Sequence, residues 1–261
     1  MYRPRLIPVL LLKDNALVKS VKFKDYNYIG DPINAVKIFN ELKADELVLL
    51  DIDATSEGRR ISSEVITRVG EEANMPFSVG GGISSIQDIQ EVIACGAEKA
   101  ILNSYAIKNP LFIKQASEYF GSSTIVLCMD VRKKFFGNSD YVFINNGKDA
   151  TKYKPAALAK FAEEMGAGEI IIQSITKDGA MNGYDLELVK SVSDVIAIPT
   201  VALGGAGTFD DFTNVYNYGN VNGIAAGSFF VYQGTNKGVL INYPSRADII
   251  KISEISLETP K

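Results

Sequence analysis

Ser78-Val79-Gly80-Gly81-Gly82-Ile83 and Leu203-Gly204-Gly205-Ala206-Gly207 are two glycine-rich turns that read alike and lie about half a chain apart. The segments after them also correspond: Ala100-Ile101-Leu102-Asn103-Ser104 answers Ile224-Ala225-Ala226-Gly227-Ser228. Gly81 to Gly205 and Asn103 to Gly227 are the same step of 124 residues (205 − 81 and 227 − 103), so the copies are in register. Adjacent glycines after a strand let backbone N–H groups approach an anion with no Cβ in the way, and the next helix adds its positive N-terminus. One such turn is ordinary punctuation. Two in register, each followed by a matching second loop, predict a duplicated half-barrel that grips a ligand with a phosphate at each end.

Short apolar runs alternate with amphipathic stretches along the rest of the chain. Strands are expected at Leu6–Leu12, Glu46–Ile52, Phe77–Val79, Lys99–Leu102, Thr124–Met129, Glu169–Gln173, Thr200–Leu203 and Gly223–Ala226. Helical patterns fall between them, at about Pro32–Lys43, Ser62–Ala73, Ser85–Cys95, Pro110–Phe120, Lys154–Met165, Asp185–Ser193 and Phe209–Tyr218, with a last one near Ser245–Ser253. Pro32 and Pro110 suit a first helical turn, and Ser84, Asn109 and Thr208 are plausible N-caps. Strand and helix in eightfold alternation predict one (β/α)₈ barrel over residues 1–261 rather than an open doubly wound sheet. A small hairpin is expected near 140–147, where Tyr141-Val142-Phe143-Ile144 precedes Asn145-Asn146-Gly147. The loop Lys13–Asp31 is long, basic and aromatic, as an active-site lid would be; its Lys19 is a candidate substrate ligand.

Composition narrows the function. The 261 residues carry a net charge of −4, which argues against nucleic acid or an anionic membrane as the main partner. No apolar run approaches the roughly 18 residues of a membrane span. The first residues read as a buried strand rather than a signal peptide, because Lys13-Asp14 follows directly and no small-residue cleavage site is present. Cys95 and Cys128 are too few for a disulfide framework or a zinc site; the cytoplasm is the expected compartment. Histidine is absent, which excludes Ser-His and Cys-His nucleophilic systems and histidine-held metals. No metal or other cofactor is expected, and acid–base chemistry falls to carboxylates, Lys, Tyr, Cys, water or the substrate.

In a barrel of this kind the chemistry sits at the C-terminal strand ends. Asp130 follows an apolar strand and is expected in the barrel mouth as the catalytic carboxylate; Asp51 follows Leu49-Leu50 in the same manner. Asp178-Gly179 suits either a plain turn or a substrate contact. One anion site is expected from Gly81, Gly82, Asn103 and Ser104, the other from Gly204, Gly205, Gly227 and Ser228. Superposing the half-barrels sets Leu11 against Asp130. Two opposed carboxylates could divide acid and base roles, but here one position carries an alkyl chain.

Over about residues 3–230 the chain resembles the cyclase subunit of imidazole glycerol phosphate synthase, HisF. Asp31-Pro32, Val79-Gly80-Gly81-Gly82-Ile83, Lys108-Asn109-Pro110, Gly166-Ala167-Gly168-Glu169, Gly183-Tyr184-Asp185-Leu186 and Gly204-Gly205-Ala206-Gly207 carry the likeness. The resemblance implies a HisH-like glutaminase on the N-terminal face and ammonia passing through the barrel past a ring of alternating charges. Arg5, Glu46, Lys99 and Glu169 match that ring; taken singly, each is an ordinary ion-pair residue at a strand start. The family also uses two catalytic aspartates. Asp130 matches one, Leu11 replaces the other, and Gln173 and Leu203 stand for a threonine and a serine.

These departures, with the tail Gly238-Val239-Leu240-Ile241-Asn242-Tyr243-Pro244-Ser245, resemble a subgroup of HisF-like paralogues. That subgroup accompanies a glutaminase and an ATP-dependent sugar amidotransferase, and builds acetamidino groups on surface-polysaccharide or nonulosonic sugars. True cyclase activity in histidine biosynthesis, or a non-catalytic phosphate-sugar scaffold, are the alternatives.

Overall fold

The computed structural model describes residues 3–134, 139–234 and 236–254. Eight parallel strands close into a barrel: β1 (Arg5–Lys13), β4 (Leu47–Asp51), β5 (Phe77–Gly80), β6 (Lys99–Leu102), β7 (Ile125–Lys133), β10 (Glu169–Ser174), β11 (Thr200–Leu203) and β12 (Gly223–Ala226). Pairing of β12 with β1 and of β7 with β10 closes the sheet, so the barrel itself leaves no free edge.

Strand side chains alternate between faces, and this divides the core in two. Ile7, Val9, Val48, Ile101, Val126, Cys128, Ile171, Val201, Leu203 and Ala225 fill the barrel, with Leu11 and Leu50 packed on that cluster from above. The intervening residues, such as Leu6, Leu10, Leu47, Leu49, Leu127 and Ile170, face outward into a second cluster under the helices.

The helices follow the expected rhythm: α1 (Pro32–Glu41), α2 (Ser63–Glu72), α3 (Ile86–Ala94), α4 (Ser104–Lys108), α5 (Leu111–Phe120), α6 (Pro155–Glu164), α7 (Leu186–Ser193), α8 (Phe209–Gly219), α9 (Ser228–Val231) and α10 (Arg246–Glu254). Capping differs by a residue in places. Ser85, not Ser84, caps α3 in a reciprocal box with Asp88. Thr208 caps α8, where Asp211 accepts from the Gly207 and Thr208 amides. Ser85 and Thr208 lie 123 residues apart (208 − 85), so the caps correspond with a one-residue offset from the 124-residue step. In each half a glycine carbonyl of the turn accepts a backbone amide, Ile61 N–H donating to Gly81 O at 3.0 Å and Gly183 N–H to Gly205 O at 2.9 Å.

Two expectations change. The segment after β1 is not an irregular loop but an antiparallel hairpin, β2 (Ala16–Val21) with β3 (Lys24–Gly30), continuing the sheet from β1. Alternating Leu17, Lys19 and Val21 could have shown the strand, but turn-prone Asp14-Asn15 and Lys22-Phe23, all at positive φ, broke the pattern. Where a small hairpin is expected near 140–147, β7 runs on to Lys133 and pairs with β8 (Asp140–Ile144), and β8 pairs with β9 (Asp149–Ala150). A last pair, β13 (Tyr232–Gln233) and β14 (Gly238–Val239), leads into the tail, whose residues 255–261 lie outside the described part. Among the described residues no helix is long and apolar enough to cross a membrane.

Candidate functional site

The C-terminal ends of the strands surround a cavity of about 520 Å³. Leu11, Leu50, Asp51, Gly81, Gly82, Asn103, Ser104, Asp130 and Gln173 all reach it. Asp130 stands on the inward face of β7, two residues above Cys128, and is 7% exposed. Burial, with Asp178 adding repulsion, raises its carboxyl from an ordinary 3.8 to about 7, while Asn103 pulls the other way. Asn103 Nδ2 donates to Asp130 Oδ2 at 3.0 Å and to the Cys128 carbonyl at 3.1 Å. Ser104 Oγ donates to Asn103 Oδ1 at 2.9 Å and accepts the Asn145 amide at 2.9 Å. A carboxyl balanced near neutrality can both take and give a proton at working pH. Leu11 lines the same cavity and can do neither.

The first cradle is built around close backbone contact. Gly82 has φ +68°, and a Cβ there would run into the Arg59 carbonyl. Asp51 does not point into the mouth as Asp130 does. It lies on the opposite parity from Leu50, accepts the Asp53 and Ala54 amides at 3.2 and 3.1 Å, and binds Arg59 Nη1 at 2.5 Å. Its role is to fix the turn that backs Gly81 and Gly82, although an edge of it reaches the cavity.

The second cradle forms a smaller adjoining recess, lined by Lys19, Asp178, Gly179, Gly204, Gly205, Gly227 and Ser228. Lys19 is 3% exposed, and its Nζ donates to the Val9 carbonyl at 2.5 Å. Gly227 leaves room for it: a Cβ there would lie 2.6 Å from Nζ, so the lysine end would have to shift. Burial lowers this ammonium to about 8, with Asp178 the opposing influence. Asp178 itself holds the β2–β3 hairpin: it accepts Ser20 Oγ at 2.8 Å and the Phe23 amide at 3.2 Å. A buried ammonium beside two glycine-rich turns is suited to a phosphate.

At the opposite face, Arg5, Glu46, Lys99 and Glu169 close into a ring. Arg5 binds Glu46 through Nη1 and Glu169 through Nη2. Lys99 Nζ reaches Glu46 Oε1 at 3.0 Å and Glu169 Oε2 at 2.9 Å. Burial alone would lower Arg5, but Glu169 and Glu46 hold it above its ordinary value.

All the residues singled out in the sequence therefore fall into three places: cavity, recess and ring. Sequence reading missed Ser20, Arg59 and Asn145, which position Asp178, Asp51 and Ser104. Each acts across 8 to 158 residues of chain, and no local pattern marks such a partner. Asp14, Asp53 and Glu57 gather carboxylates within 4.8 Å on the rim, but Lys13 Nζ already lies 2.6 Å from Asp53 and the group stands outside the cavity.

A closed barrel with a glycine-rich turn at each of two recesses and a titratable carboxyl in the mouth between them defines a (β/α)₈ barrel protein with its candidate site at the C-terminal strand ends. The family described as histidine biosynthesis protein matches residues 5–237. Proteins provisionally named imidazole glycerol phosphate synthase subunit HisF are similar, one from Leptospira interrogans (44% identity, 95% of this chain, 98% of the relative) and one from Vibrio vulnificus (43%, 98% of each). The imidazole glycerol phosphate synthase subunit HisF of Geobacillus thermodenitrificans is 38% identical over 93% of this chain and 96% of its own. The chain belongs to the HisF family of histidine biosynthesis proteins and is a HisF-like synthase subunit.

Proposed function

We propose that this subunit takes ammonia from a HisH-like glutaminase at its N-terminal face and delivers it to a phosphorylated acceptor at the C-terminal cavity. The product is an amidated sugar, an acetamidino derivative of a surface-polysaccharide or nonulosonic sugar, rather than an imidazole. An ATP-dependent sugar amidotransferase that activates the acceptor fits the same scheme as a further partner. The observation that carries this reading is the pairing of a complete charged ring with an incomplete catalytic mouth, Leu11 against Asp130.

The ATP-dependent partner activates the acceptor's amide oxygen as a phosphate or adenylate ester, and ammonia adds to the carbon that bears it. The C–O bond breaks with release of phosphate or AMP, and nitrogen loses a proton that a single carboxylate such as Asp130 suffices to take. Closing and releasing an imidazole in this family takes two opposed carboxylates, and Leu11 removes one.

Purified protein supplied with ammonium salts should not turn over the phosphoribosyl substrate of the cyclase at a useful rate. A missing general acid or base costs about 10²–10⁴-fold. Turnover within about tenfold of an authentic cyclase would overturn the proposal in favour of histidine biosynthesis, the activity named for its relatives. Failure to bind any phosphorylated sugar or any co-encoded glutaminase would favour a scaffold.

A further inference from the structure

The charged ring is held at one seam by a residue from the far end of the chain. The β1–β4 ladder runs from Val9–Val48 to Leu12–Asp51. Continuing that register three residues back sets Leu6 level with Asp45 (9 − 3 and 48 − 3). Here side chains join the two segments instead. The Asp45 carboxylate accepts the Leu6 amide at 3.0 Å and both Arg3 Nη groups at 2.7 Å. The Tyr243 hydroxyl donates to the Leu6 carbonyl at 2.9 Å and accepts the Asp45 amide at 3.0 Å. One hydroxyl thus bridges β1 and the entry to β4.

Leu6 is the neighbour of Arg5, and Asp45 the neighbour of Glu46. The Arg5–Glu46 ion pair crosses this same seam. Tyr243 is fixed in its turn by stacking on Phe230, with centroids 5.4 Å apart and planes at 24°. The tail reaches it through the Leu240 amide on Val231 O and the Asn242 amide on Phe230 O.

We infer that Tyr243 is a positioning residue for the charged ring, stapling the backbone of Arg5 and Glu46 so that the four charges meet in one closed circuit. The tail is therefore part of the ring's machinery. Its consequence for ammonia traffic rests on the proposed function, but the staple itself does not.

The test uses the full chain alone. Tyr243→Phe keeps the ring stacked on Phe230 and removes only the hydroxyl. Acetic anhydride at trace level, with mass spectrometry of individual lysines, reports how often each amine comes free. Lys99 is tied to two carboxylates, so its acetylation measures ring opening. Losing one donor and one acceptor should raise Lys99 acetylation about five-fold. Lys19, buried at the other end of the barrel, should keep its rate. An unchanged Lys99 rate would overturn the staple, as would equal acceleration of Lys99 and Lys19, which means general loosening. With a glutaminase in hand, the same variant should lose glutamine-dependent product relative to ammonia-dependent product. A wild-type chain with no glutaminase coupling would sink the proposed function and leave the acetylation result standing.

Discussion

Lys99→Met measures what the charged ring contributes. Methionine keeps most of the lysine's length and volume, so packing against the barrel floor changes little, but both ion pairs of Lys99 go, at 3.0 and 2.9 Å. Glu46 and Glu169 are left with Arg5 between them, their side chains only 5% and 7% exposed. The ring passes from neutral to one net negative charge. Breaking a buried pair costs roughly 3–5 kcal/mol, because a carboxylate stays desolvated without its counter-charge. Lys99 retains 20% side-chain exposure, and water can reach part of the gap, so the lower end, about 3 kcal/mol, is expected. For a chain of this size that corresponds to a fall in Tm of about 6–12 °C. Thermal unfolding by circular dichroism at neutral pH and low salt reads it directly. A shift below about 2 °C would refute the reasoning, since it would put the four charges effectively in bulk solvent.

Two titrations follow from the buried groups above the barrel. Asp130 has a carboxyl raised from 3.8 to about 7, so the folded state holds a proton that the unfolded state releases; its stabilising contribution is present below about pH 4 and is lost as pH rises through 7. Asp130→Asn should therefore be more stable than the parent at pH 8 by about 2–4 kcal/mol, with little difference at pH 4; a constant difference across that range would rule the shift out. Lys19 is the opposite case: its ammonium is lowered from 10.5 to about 8, so charging it in place opposes folding below pH 8, and that penalty fades as pH rises towards 10.5. Lys19→Met should raise Tm at pH 7 and lose the advantage near pH 10, as differential scanning fluorimetry would show. Stabilisation by added inorganic phosphate should also fall in this variant, and an unaltered phosphate response would remove Lys19 from the anion site.

Much of this protein is written in local sequence. The alternation of apolar strands and amphipathic helices specifies the barrel because strand and helix periods are properties of neighbouring residues. The doubled glycine turns mark both cradles for the same reason, since each needs backbone geometry that only local residue choice supplies. That Leu11 faces Asp130 is legible from matching the first strand to the fifth, but that a carboxylate belongs there comes only from the family resemblance.

What the sequence could not decide depends on closure. Asp51 and Asp130 look equivalent on paper, but strand parity turns one towards Arg59 and the turn behind Gly82, the other into the mouth. Lys19 is named in the sequence only as a candidate ligand in a loop; the hairpin folds it under Gly227, and only there does burial change its proton affinity. Arg5, Glu46, Lys99 and Glu169 are scattered over 164 residues and become a circuit only when the barrel closes. Tyr243 joins Leu6 across 237 residues. Hydrogen bonds and charge pairs act over a few ångströms of space, and the chain positions that share that space are chosen by the closing of the sheet.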